Sequence, residues 1–384
     1  MNNLQEERNS VLRELSDDQN AIEQVFQYCN NPFNPDLLNS GHVFPLPEEL
    51  HVKDWRAYCS GSGGDQLSFL QTKIVQLNIP VREGISQSES YRDVVRKGKP
   101  FSEENFDGRL TFEFLKKIQC YIHEHPAGSL PVITTSVRSD FEKLYRALAC
   151  RCEPVSIQES VNATVVAGLI NWDRVRNYRE RWKKKASPLS MATGGWRAEM
   201  NRVAKEEPGH FHDRLILICK NSYSSVTAEQ LQLDMDEFEW IEKSTVLRIE
   251  HEFTHYATKR LFDSMRNNIL DETIADFMGV TAALGSYKAQ WFKTFLGLEN
   301  WPDVRQNGRI FTYKGDLKEN AFQLLCVLTC HAAAGLEKLG AQFYKPEKRN
   351  QFFLALTAMT LELLASKKAE KIFNTYYAAV SRSG

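Results

Sequence analysis

Residues 246–279 read VLRIEHEFTHYATKRLFDSMRNNILDETIADFMG, and the arrangement of the second half of the chain can be worked out from this stretch. Apolar side chains recur at helical spacing in its first half, which predicts an amphipathic helix over about 236–262. The polar run that follows predicts a turn, and residues 271–298 again have helical spacing. The stretch therefore predicts two consecutive helices joined by a short loop.

Two histidines, His251 and His255, lie four positions apart on the first predicted helix, and Glu252 lies between them. Residues at i and i+4 share one face of a helix, so both imidazoles can reach a single ion. This spacing suits a tetrahedral Zn²⁺ that keeps one position open for water, and Glu252 projects beside the histidines, where it can hold that water. The pattern therefore predicts a zinc site with a carboxylate that acts on water.

A third ligand is expected on the second predicted helix, where Glu272 and Asp276 are four positions apart and share a face. Sixteen residues separate His255 from Glu272, which is enough chain to end the first helix, turn and return. Asp276 would then accept a hydrogen bond from the far nitrogen of a ligand histidine. We expect Glu272 to complete the metal site and Asp276 to orient it.

HEFTH followed by DETIAD resembles the zinc metallopeptidases called gluzincins, which combine H-E-x-x-H with a downstream E-x-x-x-D. The resemblance is specific over about thirty residues, from His251 to Gly279. It implies that His251, His255 and Glu272 bind Zn²⁺. It also implies that Glu252 is the general base and that Asp276 orients a ligand.

The resemblance further implies a zincin-like core over about residues 210–290. The edge strand that usually lies upstream in this family has two candidates, Leu215–Cys219 and the following 223–226. The third histidine of the metzincin pattern is absent, because position 261 is Leu. Gluzincins also place a Tyr, His or Arg to steady the oxyanion; Tyr313, His331 and Arg266 are candidates, and the motif chooses none of them.

The 384 residues are enough for two domains, and His125–Pro131 is the best boundary candidate. We expect residues 1–128 to form a mainly helical N-terminal region of unknown role, with one of its helices over 106–123. We expect residues 129–384 to form a zincin-like metallopeptidase domain. Short apolar runs of strand length and later helical patterns predict an α/β (α+β) protein. The resemblance implies that its small mixed sheet packs on the active-site helix.

The three strand candidates lie at 131–135, 163–170 and 215–219, and further helices are expected over 319–339 and 347–377. The longest apolar stretch, 321–336, is shorter than the ~20 residues of a bilayer span, and we interpret it as a buried core helix.

Composition gives little indication of partners, because 48 basic and 49 acidic residues leave a formal charge of -1. We expect no membrane and no nucleic-acid partner; the oligomeric state is not indicated. The eight cysteines include no C-x-x-C pair, and the polar N-terminus lacks the features of a signal peptide. These features predict a cytoplasmic protein with reduced thiols.

The sequence therefore predicts a zinc-dependent peptidase that acts on a peptide or protein substrate, with Glu252 passing a proton from water to the leaving amine. Two alternatives stay open: a non-catalytic zinc-binding or partner-binding module with a zincin-like fold, and a metal hydrolase with a non-peptide substrate. Glu252 argues against the first alternative, because a structural zinc site has no use for that carboxylate.

Overall fold

The computed structural model describes residues 2–33, 41–60, 66–265 and 268–383. The structure is 60% helical, and its described residues also form a small mixed sheet of four strands, so the predicted mixture of helix and strand is confirmed. The chain divides into two compact units: a helical unit, residues 1–46 with 221–384, and a sheet unit, residues 47–220.

The α-helices of the described residues, numbered along the chain, are α1 (Asn2–Leu15), α2 (Gln19–Tyr28), α3 (Leu50–Ser60), α4 (Gln66–Lys73), α5 (Glu89–Tyr91), α6 (Arg138–Leu148), α7 (Trp172–Lys183), α8 (Pro188–Ala192), α9 (Gly195–Glu206), α10 (Glu237–Phe262), α11 (Ile269–Leu284), α12 (Ala289–Leu296), α13 (Glu319–Phe343), α14 (Arg349–Thr357), α15 (Leu361–Ala365) and α16 (Ala369–Ser383). The strands are β1 (Gln119–His123), β2 (Leu130–Thr135), β3 (Ala163–Ile170) and β4 (His212–Cys219).

The sheet has the order β1-β2-β4-β3, with β2 and β4 parallel and the other two pairs antiparallel. The run Leu215–Cys219 of β4 is buried on both faces, which is why this strand reads as a continuous apolar run rather than an alternating one. The strands predicted at 131–135, 163–170 and 215–219 are all confirmed.

The helix predicted over 106–123 is wrong, because residues 119–123 form β1 and pair with β2. A short apolar run is compatible with either a helix or a strand. Here it forms a strand, because β2 pairs with it about eleven residues downstream. The boundary predicted after residue 128 falls between these two paired strands, inside the sheet unit, whereas the compact units separate after residues 46 and 220.

Helix α10 begins at a capped residue: the side chain of Asp236 accepts a hydrogen bond from the backbone N–H of Glu239. Asn268 caps α11 in the same way, accepting from the backbone N–H of Asp271. The predicted helix 271–298 is in fact two helices, because Gly285 ends α11 in the left-handed region with φ 77°. The predicted helix 347–377 is likewise divided, into α14, α15 and α16.

The first two helices belong to the helical unit rather than to a separate N-terminal region. The Arg8 guanidinium of α1 pairs with the Glu362 carboxylate of α15 at 2.9 Å, and both side chains are buried. The side-chain amide of Asn31 donates to the backbone carbonyls of Thr357 and Met359. These contacts join the beginning of the chain to residues more than 300 positions away.

Helix α13 has the length and composition of a membrane span, and it confirms the helix expected over 319–339. Half of its most apolar stretch is buried against the rest of the chain, as in a core helix of a soluble protein. Leu325, Leu328 and Leu336 are fully buried. The helix is therefore consistent with the interpretation of 321–336 as a core segment.

The sheet lies in the sheet unit and α10 lies in the helical unit, where the described residues form helices and one isolated bridge between Asn300 and Asp303. Neither unit taken alone contains both a sheet and α10, so the zincin-like core stays a prediction. Neither strand candidate lies at a sheet edge: β4 is an interior strand, and Tyr223–Ser225 forms a 3-10 turn.

Helix α10 does not have the single apolar face that its amphipathic pattern predicts. Val246 is 44% exposed, whereas Arg248 is buried. From Leu247 to Thr258 every residue of the helix is buried. The buried polar residues of this segment therefore need hydrogen-bond partners.

Candidate metal centre

Helices α10 and α11 approach each other closely enough to bring their polar side chains together. At Gly279 a Cβ atom would lie 2.7 Å from the backbone oxygen of Leu247, so only a glycine permits this helix separation. His251, Glu252 and His255 project from α10, and Glu272 and Asp276 project from α11. All five are buried, with no more than 8% of any of them exposed.

Three of these side chains direct donor atoms to one point. The Nε2 atoms of His251 and His255 are 3.0 Å apart, and they lie 3.4 Å and 3.5 Å from the two carboxylate oxygens of Glu272. A tetrahedral zinc ion with bonds of about 2.05 Å holds its ligand atoms about 3.3 Å apart. The buried group His251, His255 and Glu272 could therefore hold a metal ion.

A carboxylate lies close to the Nδ1 atom of each histidine, the ring nitrogen that does not face the shared point. Nδ1 of His251 lies 2.8 Å from Asp276, and Nδ1 of His255 lies 3.2 Å from Asp271. Both carboxylates are fully buried and come from α11. A proton held on each Nδ1 leaves the Nε2 lone pairs facing the shared point, which is the arrangement that metal-binding histidines use.

Asp271 was not among the residues predicted from sequence. Its signal was available, because a site with two histidine ligands has a use for two orienting carboxylates, and Asp271 directly precedes Glu272 in the first turn of α11. Asp276 was named as the orienting carboxylate, and the structure places it beside His251.

Tyr223 and Arg309 also contact Asp276, and neither was predicted from the sequence as a site residue. The Tyr223 hydroxyl donates to Asp276 at 2.5 Å and lies 3.1 Å from Nδ1 of His251. The Arg309 guanidinium donates to the other oxygen of Asp276 and, at 2.8 Å, to the Tyr223 hydroxyl. Both residues lie on 3-10 turns far from the motif in sequence, so no local pattern indicated them.

The buried Arg248 on α10 fixes the segment that carries Tyr223. Its guanidinium donates to the backbone carbonyl of Ser222 at 2.7 Å. The backbone N–H of Tyr223 in turn donates to the hydroxyl of Ser244, one helical turn before Arg248. The tyrosine is therefore held in place from two positions on the helix that carries the histidines.

The charges around the site favour a cation. Burial alone would raise the pKa values of Asp276 and Glu272, but both values lie below the ordinary range. The Arg309 guanidinium lowers the pKa of Asp276, and the hydrogen bond from His255 lowers that of Glu272. Burial alone would lower the pKa of His255, yet Asp271 and then Glu272 raise it well above its usual value. The carboxylates therefore stabilise positive charge between the histidines.

Three residues, Tyr313, His331 and Arg266, were candidates for steadying the oxyanion. Tyr313 is buried, and its burial, followed by the charge of Glu272, raises the pKa of its hydroxyl well above the ordinary value. That hydroxyl therefore stays protonated in the neighbourhood of the site. His331 is exposed on α13 rather than buried in a core. Arg266 lies outside the described residues.

Tyr28, which is near the start of the chain, bonds to two segments that carry residues of the site. The hydroxyl of Tyr28, at the end of α2, donates to the backbone carbonyl of Tyr313 at 2.9 Å. It also accepts a hydrogen bond from the backbone N–H of Ile269, the first residue of α11. Tyr28 therefore links the helix that carries Glu272 to the turn that carries Arg309 and Tyr313.

Comparison with curated proteins and with solved structures gives no match. The model of one protein family matches residues 10–368, which include the whole sheet unit, most of the helical unit and every residue of the candidate metal centre. The chain belongs to this family, which is described as a family of unknown function (DUF7005).

Proposed function

We propose that this protein is a cytoplasmic zinc-dependent peptidase in which His251, His255 and Glu272 hold the metal and Glu252 is the general base. The observation that carries the proposal is the spacing of the three donor atoms, 3.0 to 3.5 Å, which suits a tetrahedral ion. Substrates are expected to be peptides or unstructured protein segments.

The donor set favours zinc among the common metals. Two imidazole nitrogens and one carboxylate are a ligand set of catalytic zinc sites, which keep the fourth position open. A structural zinc site normally has four protein ligands, and among the described residues the cluster contains three. The carboxylates of Asp271 and Asp276 increase the basicity of the histidines and hold their orientation.

When bound, zinc would polarise the scissile carbonyl and acidify a water molecule. Glu252 follows His251 directly on α10 and is buried with it. In this proposal its carboxylate takes the proton of the attacking water and delivers it to the leaving amine. The protonated Tyr313 hydroxyl is the candidate donor to the oxyanion that develops on the carbonyl.

The burial of the site favours a second candidate, a metal hydrolase with a small non-peptide substrate. His251, Glu252, His255 and Glu272 are each at most 8% exposed, so a folded protein could not reach them without a change in conformation. An extended peptide and a small molecule are both narrow enough for such a site, and only an assay with each class distinguishes them.

The deciding experiment combines metal analysis with hydrolysis. The purified full-length protein should contain about one zinc per chain and should cleave casein or a peptide library. His255→Ala removes one of three protein ligands, so zinc occupancy should fall sharply. Asp234→Asn, an exposed change in the same unit, is the matched control. Full occupancy in His255→Ala would contradict the metal assignment, and a zinc-loaded wild type that cleaves no peptide would contradict the peptidase.

A further inference from the structure

Two cysteines of the sheet unit, Cys59 and Cys120, lie in direct contact. Their Sγ atoms are 3.1 Å apart, although 61 positions separate them in the chain. A disulfide bond has an S–S distance of about 2.05 Å, so the sulfurs need to approach by only about 1 Å to bond. None of the eight cysteines forms a disulfide in the structure.

Both members of the pair lie in regular secondary structure. Cys59 lies in the last turn of α3, one turn after Trp55, whose indole N–H donates to the buried carboxylate of Asp213. Cys120 lies in β1, and the side-chain amide of Gln66 donates to its carbonyl and accepts from its N–H. The contact between the sulfurs is therefore built into the unit and does not depend on a loop.

The two thiols differ in exposure and in acidity. Cys59 is half-buried, whereas only 4% of Cys120 is exposed. The hydrogen bond from Cys120 lowers the pKa of Cys59, and the same contact together with burial raises the pKa of Cys120 well above the ordinary value. The sulfur that solvent reaches is therefore also the one that ionises first, as an attacking thiolate requires.

We propose that Cys59 and Cys120 form a redox-active dithiol that closes to a disulfide by exchange with a low-molecular-weight disulfide such as oxidised glutathione. In the first step the Cys59 thiolate attacks one glutathione sulfur. A mixed disulfide forms, the glutathione S–S bond breaks, and one glutathione thiolate leaves and takes up a proton.

In the second step Cys120 gives its proton to solvent and attacks Sγ of Cys59, which releases the second glutathione. The two protein sulfurs lose two electrons in total, and oxidised glutathione gains them. Because this pair lies in the sheet unit and the metal ligands lie in the helical unit, the inference does not rest on the proposed peptidase function.

Two other cysteines provide an internal comparison. Cys326 and Cys330 are four positions apart on α13, and burial raises their pKa values to about 12 and about 11. At neutral pH they lack the thiolate that starts exchange, so they should stay reduced under conditions that oxidise the proposed pair.

The test is a titration of the full-length protein in glutathione buffers of increasing oxidised fraction. Remaining thiols are trapped by alkylation, and the digested peptides are identified by mass spectrometry. We expect the peptides that contain Cys59 and Cys120 to become linked, with the loss of two hydrogens, while Cys326 and Cys330 are alkylated. Alkylation of both Cys59 and Cys120 in fully oxidised glutathione would overturn the proposal, and so would a glutathione adduct that persists on Cys59 of the wild type.

Two variants test the order of attack. Cys120→Ser should trap glutathione on Cys59, because the resolving thiol is gone. Cys59→Ser should leave Cys120 without an adduct, and an adduct there would overturn the assigned order. Circular dichroism of both variants checks folding; if either variant does not fold, the linkage measurement on the wild type still decides whether the pair closes.

Discussion

The carboxylate of Asp271 lies 3.2 Å from Nδ1 of His255, and the residue that follows it, Glu272, belongs to the group that could hold a metal ion. The carboxylate of Asp276, further along α11, lies 2.8 Å from Nδ1 of His251. One helix therefore carries the histidines and the other carries both carboxylates that orient them. The geometry of the site depends on how these two helices are placed.

Asp271→Asn keeps the size of the side chain and removes its charge. The amide is a weaker acceptor for the Nδ1 proton of His255, so we expect zinc affinity to fall about 10- to 100-fold, the usual effect of losing such a partner. Competition with a chromophoric chelator measures the change. Asp234→Asn, exposed in the same unit, should bind zinc as the wild type does. Unchanged affinity in Asp271→Asn would show that this carboxylate does not support the ligand.

Glu252→Gln separates catalysis from metal binding. The amide has the same shape but cannot accept the proton of water, so hydrolysis should fall by at least ~10²-fold while zinc stays bound. Kinetics and metal analysis of one preparation measure both effects. Glu242→Gln changes an exposed glutamate of the same helix and should be silent. Hydrolysis at the wild-type rate by zinc-loaded Glu252→Gln would exclude this residue as the general base.

Zinc affinity should decrease as the pH falls. The raised pKa of His255 means that the metal-free protein carries a proton there, which zinc has to displace. Below that pKa, each proton displaced weakens the apparent affinity about tenfold per pH unit. Isothermal titration between about pH 8 and about pH 5.5 tests this, and an affinity independent of pH would contradict it.

The stability of the metal-free protein should have the opposite dependence on pH. A histidine whose pKa is higher in the folded state than in the unfolded state, where it is about 6.5, binds more protons when folded. Its stabilising contribution is complete below about pH 6.5 and is lost as the pH rises through the folded pKa. Thermal melts of the chelator-treated protein measure this; His255→Gln should remove the effect.

Gly279→Ala should disturb the contact between α10 and α11. The added methyl group would lie 2.7 Å from the Leu247 carbonyl oxygen, and backbone cannot move aside as a flexible side chain can. Alanine favours the helix by about 1 kcal/mol, but overpacking costs about 1–3 kcal/mol, so we expect a net loss of about 1 kcal/mol and weaker zinc binding. Chemical denaturation measures the change. Ala282→Ser, exposed on the same helix, is the control.

Arg8→Met tests whether the first helix is an integral part of the helical unit. The change leaves the buried carboxylate of Glu362 without its partner, which should cost about 3–5 kcal/mol of unfolding free energy. The double variant Arg8→Met with Glu362→Leu removes both charges and should recover most of the loss. A single variant as stable as the wild type would mean that the first helix contributes little to the unit.

Local patterns were enough to predict much of the secondary structure and the three residues that the structure brings together as a candidate metal centre. In any α-helix, residues four positions apart share a face. The pairs His251 with His255 and Glu272 with Asp276 could therefore be identified without knowing the fold. The same holds for the strand Leu215–Cys219, whose continuous apolar run matches burial on both faces. In each case the relevant interaction acts over a few positions.

The remaining features depend on contacts between distant segments, and no local period encodes them. The Tyr223 and Arg309 side chains that surround Asp276 come from segments 53 and 33 positions away. The ion pair between Arg8 and Glu362 spans 354 positions and places the N-terminal helices with the C-terminal ones. Residues 119–123 became a strand because β2 was available to pair with them. Tertiary structure determined these features because burying a charge or a strand edge is favourable only where the folded chain supplies a partner.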